Sequence, residues 1–270
     1  MDKDLLIGGL SGIISRTVTA PLELWKMQRQ NFFIPNSTFR DVLQKEGFRY
    51  LWKGNYTNCM RIFPQYSINF ATFQLSNQAI NPYIENETAK NLISGSFAGV
   101  ISMAGVYPLE TIRSRLALQT NKSHYSGVLD ALLKTSFRDK YRGLGMSLLG
   151  FAPFNGLNFA FFYYYKKLLD NYSQRTDMVN LFAGGLAGMS AISYTYPTDL
   201  VRRRLQLQGF DKTVPRYNGI THCFSQIYKQ EGMRGLYRGL GACYIKIFPS
   251  VAIQFWCIEK GKNLLKDFEL

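Results

Sequence analysis

Thr19–Gln28 reads TAPLELWKMQ. A proline stands at the end of an apolar, helix-compatible run, with Glu23 two residues on and Lys26 three beyond that. Proline removes a rung of the helical hydrogen-bond ladder, and charges are costly in apolar surroundings. The same combination returns twice. YPLETIRSRL (107–116) carries Pro108, Glu110 and Arg113; YPTDLVRRRL (196–205) carries Pro197, Asp199 and Arg202. The spacing P-x-[DE]-x-x-[KR] holds in all three, and the prolines lie 87 and 89 residues apart. Three matching units in one chain predict a threefold architecture. The expected repeats are residues 1–84, 85–172 and 173–270.

Each unit reads as long helix, short amphipathic segment, long helix. Gly8 and Gly12, Gly95 and Gly99, and Gly184 and Gly188 precede their prolines by 13 and 9 residues. Small-xxx-small spacing lets helices approach closely inside a membrane. The second long helices also align: WKGNYTNCMRIFPQYSINF (52–70), YRGLGMSLLGFAPFNGLNF (141–159) and YRGLGACYIKIFPSVAIQF (237–255). Each opens aromatic-[KR]-G, with Pro64, Pro153 and Pro249 ten residues after the glycine. A helix over 54–79 is about 39 Å long at 1.5 Å per residue, enough to span a bilayer. Polar residues recur at helical spacing, as expected of a face lining a water-filled cavity. The segments between are too short and charged to span, and are expected to lie flat on the membrane surface.

The chain has 270 residues, 46% hydrophobic, and a formal net charge of +14. That balance favours anionic partners. The basic residues are spread along the chain, which argues against a nucleic-acid-binding arm. No stretch resembles a cleaved signal peptide. Cys59, Cys223, Cys243 and Cys257 lack C-x-x-C spacing and read as thiols. His124 and His222 are the two histidines. With no P-loop, nucleophile elbow or metal-spaced cluster, no enzyme, cofactor or metal site is expected.

These motifs resemble those of the mitochondrial carrier family, over residues 4–266. Glu46-Gly47 and Glu231-Gly232 before aromatic-[KR]-G strengthen the likeness; Arg138-Asp139-Lys140 stand in the middle unit instead. The resemblance implies an all-α membrane protein. Six transmembrane helices in three tandem pseudosymmetric repeats would surround a central cavity, with short surface helices on the matrix side and termini facing the intermembrane space. It implies a multi-pass protein of the mitochondrial inner membrane, acting as a monomer.

The resemblance also implies a matrix gate, with Glu23 paired to Arg113, Glu110 to Arg202 and Asp199 to Lys26. Gln30 and Gln206 would brace it, with Ala117 in the third brace position. Treated as water-accessible, such pairs contribute about 0–1 kcal/mol each. A cytoplasmic gate is thinner: Ile258-Glu259-x-x-Lys262, Phe162-Tyr163-x-x-Lys166 without the acid, and Phe73-Gln74-x-x-Asn77 without either charge. From this we expect the matrix-open state to be favoured.

Three residues before each even-helix proline, the family's substrate contact points would be Arg61, Gly150 and Lys246. No carboxylate partner is evident nearby in sequence for Arg61 or Lys246. Arg16 lies on a face that should reach the same cavity. Arg and Lys together suit phosphate. Gly150 would open space, and Phe151 would stack on a base, with Phe154 beside it. Tyr66, Asn69, Asn155, Asn158 and Thr195 are secondary candidates.

SRTVTAPLE (15–23) and RSRLALQTNKSHYSGVLDAL (113–132) resemble the ATP-Mg/phosphate carriers, without their calcium-binding domain. YPTDLVRRRLQLQG (196–209) resembles coenzyme A and other adenine-nucleotide carriers. The expected activity is antiport of a phosphate-bearing nucleotide such as ATP, ADP, AMP or a deoxynucleotide. The alternatives are coenzyme A or thiamine pyrophosphate, or a transport-deficient membrane adaptor with this fold. Lys53-Gly54, Arg142-Gly143 and Arg238-Gly239 join a cation to a helix N-terminus, an anion site that the resemblance assigns to cardiolipin.

Overall fold

The computed structural model describes residues 3–30, 44, 47–119, 124–170, 176–210 and 214–267. Glu46 lies outside them. The first long helix is broken into α1 (Lys3–Val18) and α2 (Ala20–Gln30). A 3-10 turn (Phe48–Trp52) leads to α3 (Asn55–Met60) and α4 (Ile62–Ile80), one rod interrupted at Arg61. Then come α5 (Glu87–Leu118), surface helices α6 (Val128–Lys134) and α7 (Phe137–Lys140), and α8 (Leu144–Asp170). The third unit holds α9 (Thr176–Leu207), surface helix α10 (Ile220–Leu236) and α11 (Leu240–Asp267).

The long helices close into a ring. Its most extensive contacts run α4 to α5, α8 to α9 and α11 to α1, so each unit's second helix packs on the next unit's first. By length and composition, Ala89–Leu118 and Leu240–Gly261 alone among the described residues resemble membrane spans. The polar inner faces lower the mean hydropathy of the rest. Outward, Leu10, Phe97 and Trp256 each expose more than half their surface. Such an apolar exterior suits hydrocarbon, not water.

Proline acts differently in the three first helices. Pro21 has no N–H to offer the carbonyl of Thr17, one turn back. Trp52 supplies the missing donor: its indole N–H meets that carbonyl at 2.8 Å, and the Asn55 amide reaches the Thr17 hydroxyl at 3.1 Å. Pro108 and Pro197 sit inside unbroken helices. There Tyr107 stacks on Tyr141 and Tyr196 on Tyr237, with ring centroids 6.4 and 6.2 Å apart.

Of the paired glycines only Gly99 is in tight contact; Gly9 and Gly185, each next to a paired glycine, do the same work, and all three seat aromatic side chains rather than bare helix backbone. A Cβ on Gly9 would stand 3.4 Å from the Phe63 ring, one on Gly99 3.2 Å from Phe151, and one on Gly185 2.5 Å from Phe248. Each aromatic knob comes from the second helix of the same unit.

The surface helices bend at one common place. Gly232 takes φ +67° inside α10, and Gly47 takes φ +79° before the first 3-10 turn. Ser136 stands there in the middle unit, and the chain instead leaves the helix through extended Thr135, splitting it into α6 and α7. On α10, Cys223 is fully buried, and burial pushes its thiol up to about 12. Burial likewise raises the Tyr217 hydroxyl above its usual value.

Candidate substrate cavity and gate

All three expected ion pairs form across unit boundaries. Lys26 meets Asp199 at 3.0 Å and Arg113 meets Glu23 at 3.3 Å, while Arg202 bonds Glu110. The six side chains are only 6–19% exposed. That corrects the expectation of weak, water-accessible pairs. Removing one partner of a buried pair costs about 3–5 kcal/mol, because a charge is left stranded.

The braces are not equivalent. Gln30 donates from Nε2 to Asp199 Oδ2 at 3.1 Å and to the Tyr196 hydroxyl at 3.3 Å. Gln206 does not touch the Glu110–Arg202 pair directly. Its Nε2 donates to the Tyr107 hydroxyl at 3.1 Å, and its Oε1 accepts from Arg203 and Ser114 at 3.3 Å. Each tyrosine hydroxyl then donates to a backbone carbonyl before a helix-start glycine: Tyr196 to Arg238 at 2.8 Å, Tyr107 to Arg142 at 3.1 Å. Two unit boundaries therefore carry a relay from gate to helix start. The third, between units 1 and 2, has Ala20 in the tyrosine place and Ala117 in the glutamine place. Ala117 packs directly under Gly54, leaving 3.0 Å for a Cβ there.

Behind the ring lies a cavity of about 460 Å³. Arg16, Arg61 and Lys246 line it, as expected, together with Lys26, Arg113, Arg202 and Arg203. The contact-point cations are not unpaired. Arg61 bonds Glu110 at 2.7 Å, and Lys246 bonds Glu23 at 2.5 Å. Sequence distance concealed this, since the partners are 49 and 223 residues away. Arg16 donates to the Asn58 side-chain and backbone oxygens at 3.4 Å. Asn58 and Arg203 were not foreseen. Arg203 stands four residues after Asp199, one helical turn along the same face, which was the available signal.

Gly150 leaves less room than expected. A Cβ there would lie 2.8 Å from the Thr198 hydroxyl, so α9 fills the space. Phe151 rests its ring edge on Gly99 and is 39% exposed. An adjoining pocket of about 190 Å³ remains, lined by Gly150, Phe151, Phe154, Met146, Ile192 and Thr195 among others. Phe154, Met103 and Arg202 border both spaces, so apolar pocket and cationic cavity are continuous neighbours. Among the secondary candidates, Asn155 bonds the Phe151 carbonyl and Thr195 the Ala191 carbonyl, both one turn back on their own helices. Asn69 bonds Ser102.

A threefold ring of cross-unit ion pairs around a cationic cavity coincides with a threefold match in sequence. The family model for mitochondrial carrier proteins matches residues 2–83, 85–173 and 173–269. The chain belongs to the mitochondrial carrier family. It is a multi-pass transporter of the mitochondrial inner membrane, not an enzyme. A mitochondrial adenine nucleotide transporter of Arabidopsis thaliana is 33% identical over 307 residues, covering 97% of this chain and 87% of its own length. A human mitochondrial adenyl nucleotide antiporter is 33% identical over 284 residues, covering 97% and 58%. A mitochondrial thiamine pyrophosphate carrier of Aspergillus oryzae is 30% identical over 301 residues, covering 98% and 94%.

At the carrier's other end, Tyr163 is 71% exposed and Glu259 is exposed. Among the described residues, neither Lys166 nor Glu259 forms an ion pair with another helix; the Lys262 side chain lies outside them. The carrier thus stands with its ring closed at the end the resemblance assigns to the matrix. The expected bias to the matrix-open state is corrected on physical grounds. A lock stabilises only the state in which it is shut, so a thin cytoplasmic lock withholds stability from the matrix-open carrier.

At the helix starts, Gly54, Gly143 and Gly239 have φ of +81°, +87° and +89°. Their cations are engaged within the protein. Lys53 donates to the Gln119 carbonyl at 2.6 Å, Arg142 pairs with Asp139 at 3.1 Å and Arg238 with Glu231 at 3.5 Å. An incoming anionic headgroup would share these cations rather than meet them bare.

Proposed function

We propose that this carrier exchanges phosphate-bearing nucleotides or nucleotide derivatives by alternating access. The observation that carries the reading is the charge on the cavity wall. Seven lining residues are cationic (Arg16, Lys26, Arg61, Arg113, Arg202, Arg203, Lys246) and two, Glu23 and Glu110, are carboxylates. Lys26 is already paired with Asp199, so the wall holds an excess of four positive charges. Uncompensated charge at membrane depth is costly, and an anion of several charges offsets it. A monocarboxylate would leave most of the excess in place.

The adjoining pocket supplies the second half of a nucleotide's chemistry. Its Met146, Phe151, Phe154 and Ile192 walls offer apolar contact to a planar base, while Arg202 sits where the two spaces meet. Phosphates drawing on Arg61 and Lys246 would take them from Glu110 and Glu23. Those acids hold the ring, so substrate binding would weaken the gate it must open. Cardiolipin at the three helix starts, and a monomeric working unit, belong to the same reading.

A thermal-shift screen of purified carrier against ATP, ADP, AMP, deoxynucleotides, coenzyme A, thiamine pyrophosphate and carboxylates tests it. A bound ligand raises apparent stability. The expected result is a shift with a phosphate-bearing compound, followed by its exchange across liposomes. A shift with carboxylates alone overturns the reading. No shift in a cardiolipin-containing sample, with no exchange, favours an adaptor that has lost transport.

A further inference from the structure

Arg203 is not needed to close the gate. Arg202 alone fills the third cationic place of the ring, and Met27 and Ser114 stand at the positions equivalent to Arg203 in the other two units. Yet Arg203 is 7% exposed and lines the cationic cavity. One guanidinium nitrogen is 3.7 Å from Glu23 and the other 3.7 Å from Glu110. Both distances exceed a hydrogen bond. Its firm bonds are neutral: Nη1 donates to the Ser114 hydroxyl at 3.0 Å and to Gln206 Oε1 at 3.3 Å. Its Nε–H is buried without a partner.

The two acids beside it are already occupied. Glu23 holds Arg113 and Lys246, and Glu110 holds Arg202 and Arg61. Five cations thus crowd two carboxylates, and Arg203 is the one with neither acid to itself. A buried guanidinium with an unmet donor, in the wall of an anion-sized cavity, is poised for an oxygen ligand from outside the protein.

We propose that Arg203 is a substrate contact for a second or third phosphate group, and so selects nucleoside di- and triphosphates over monophosphates. The inference rests on the nucleotide reading above and deepens it. Arg61 and Lys246 suffice for one phosphate. A longer phosphate chain extends past them to the space between Glu23 and Glu110, where the Arg203 fork takes it. Because Arg203 is shared between Glu23 and Glu110, drawing it aside loosens two ion pairs at once. The consecutive residues Arg202 and Arg203 divide the labour, one closing the gate and one reading the substrate.

The test is exchange in proteoliposomes loaded with ATP, ADP or AMP, for wild type, Arg203→Gln and Arg203→Lys, with thermal unfolding of each variant measured in parallel. The expected result is a fall of about tenfold or more in ATP and ADP exchange by Arg203→Gln, the size of one charge-assisted hydrogen bond. AMP exchange should fall much less, so the triphosphate-to-monophosphate ratio collapses. Arg203→Lys keeps the charge without the fork and should recover part of that ratio. An equal loss for all three nucleotides, or an unchanged ratio, overturns the proposal and leaves Arg203 a packing residue. Should Arg203→Gln fail to fold, the ratio in Arg203→Lys decides alone: unchanged from wild type, the proposal falls. Wild-type carrier that exchanges none of the three overturns the adenine mono-, di- and triphosphate form of the reading, and the Arg203 proposal with it, an outcome distinct from a ratio that stays constant.

Discussion

Trp52 donates its indole N–H to the Thr17 carbonyl at 2.8 Å, the acceptor that Pro21 cannot satisfy. The break in the first helix is therefore a bonded joint. Trp52→Phe keeps the ring and removes the donor. We expect a loss of about 1–3 kcal/mol, the cost of a partly buried carbonyl left unmet. Thermal unfolding in detergent measures it. A melting temperature equal to wild type would mean water replaces the indole without cost.

Ala117→Gln should install the missing brace. In the corresponding place Gln30 lies alongside Gly239, its Cγ 3.2 Å from where a Cβ would stand, so a glutamine fits against a helix-start glycine. The new amide would reach Glu23, as Gln30 reaches Asp199. We expect about 1 kcal/mol of added stability and slower exchange, because a firmer ring resists opening. Faster exchange with a raised melting temperature would contradict this account of the gate.

Arg61→Ala and Lys246→Ala should each reduce exchange by about 10- to 100-fold, corresponding to about 1.5–3 kcal/mol of charge-assisted bonding, while the fold survives. Survival follows from redundancy: Glu110 keeps Arg202 and Arg203, and Glu23 keeps Arg113 and Arg203. Parallel assays of exchange and melting temperature separate the two effects. Normal exchange by either variant would remove that residue from the substrate site.

Cys223 gives a pH signature outside the membrane spans. Burial holds its thiol neutral, pushing it up from the ordinary thiol range to about 12. A raised folded value means its contribution is intact below about pH 9 and is lost as pH climbs toward 12. The gap in melting temperature between wild type and Cys223→Ala should narrow above pH 9. Maleimide should label half-buried Cys59 in the native carrier and leave Cys223, Cys243 and Cys257 until unfolding. Native labelling of Cys223 at neutral pH would contradict its burial.

Repetition made the fold readable. Pro21, Pro108 and Pro197 with their offset charges located the ring, because a threefold pattern forces equivalent positions to one level. What lay outside the pattern stayed hidden. Arg61 and Lys246 looked unpaired because their acids arrive from other units, through space rather than along the chain. Gly150 looked like empty space because the Thr198 hydroxyl that fills it belongs to a neighbouring helix. Arg203 was passed over because it breaks the symmetry that made Arg202 visible. The relay through Tyr107 and Tyr196 joined two motifs read separately, each beginning one residue from where the other is felt.

The four excess cations of the cavity wall have a last consequence, for voltage. They are fixed to helices and do not cross the membrane, so under the proposed exchange the charge carried per cycle is only the difference between the two substrates. For partners differing by one charge, a potential of 100 mV contributes about 2.3 kcal/mol to the direction of exchange. The protein lowers the electrostatic barrier for both directions alike; the membrane's electric field, acting on that one unequal charge, decides which way the traffic runs.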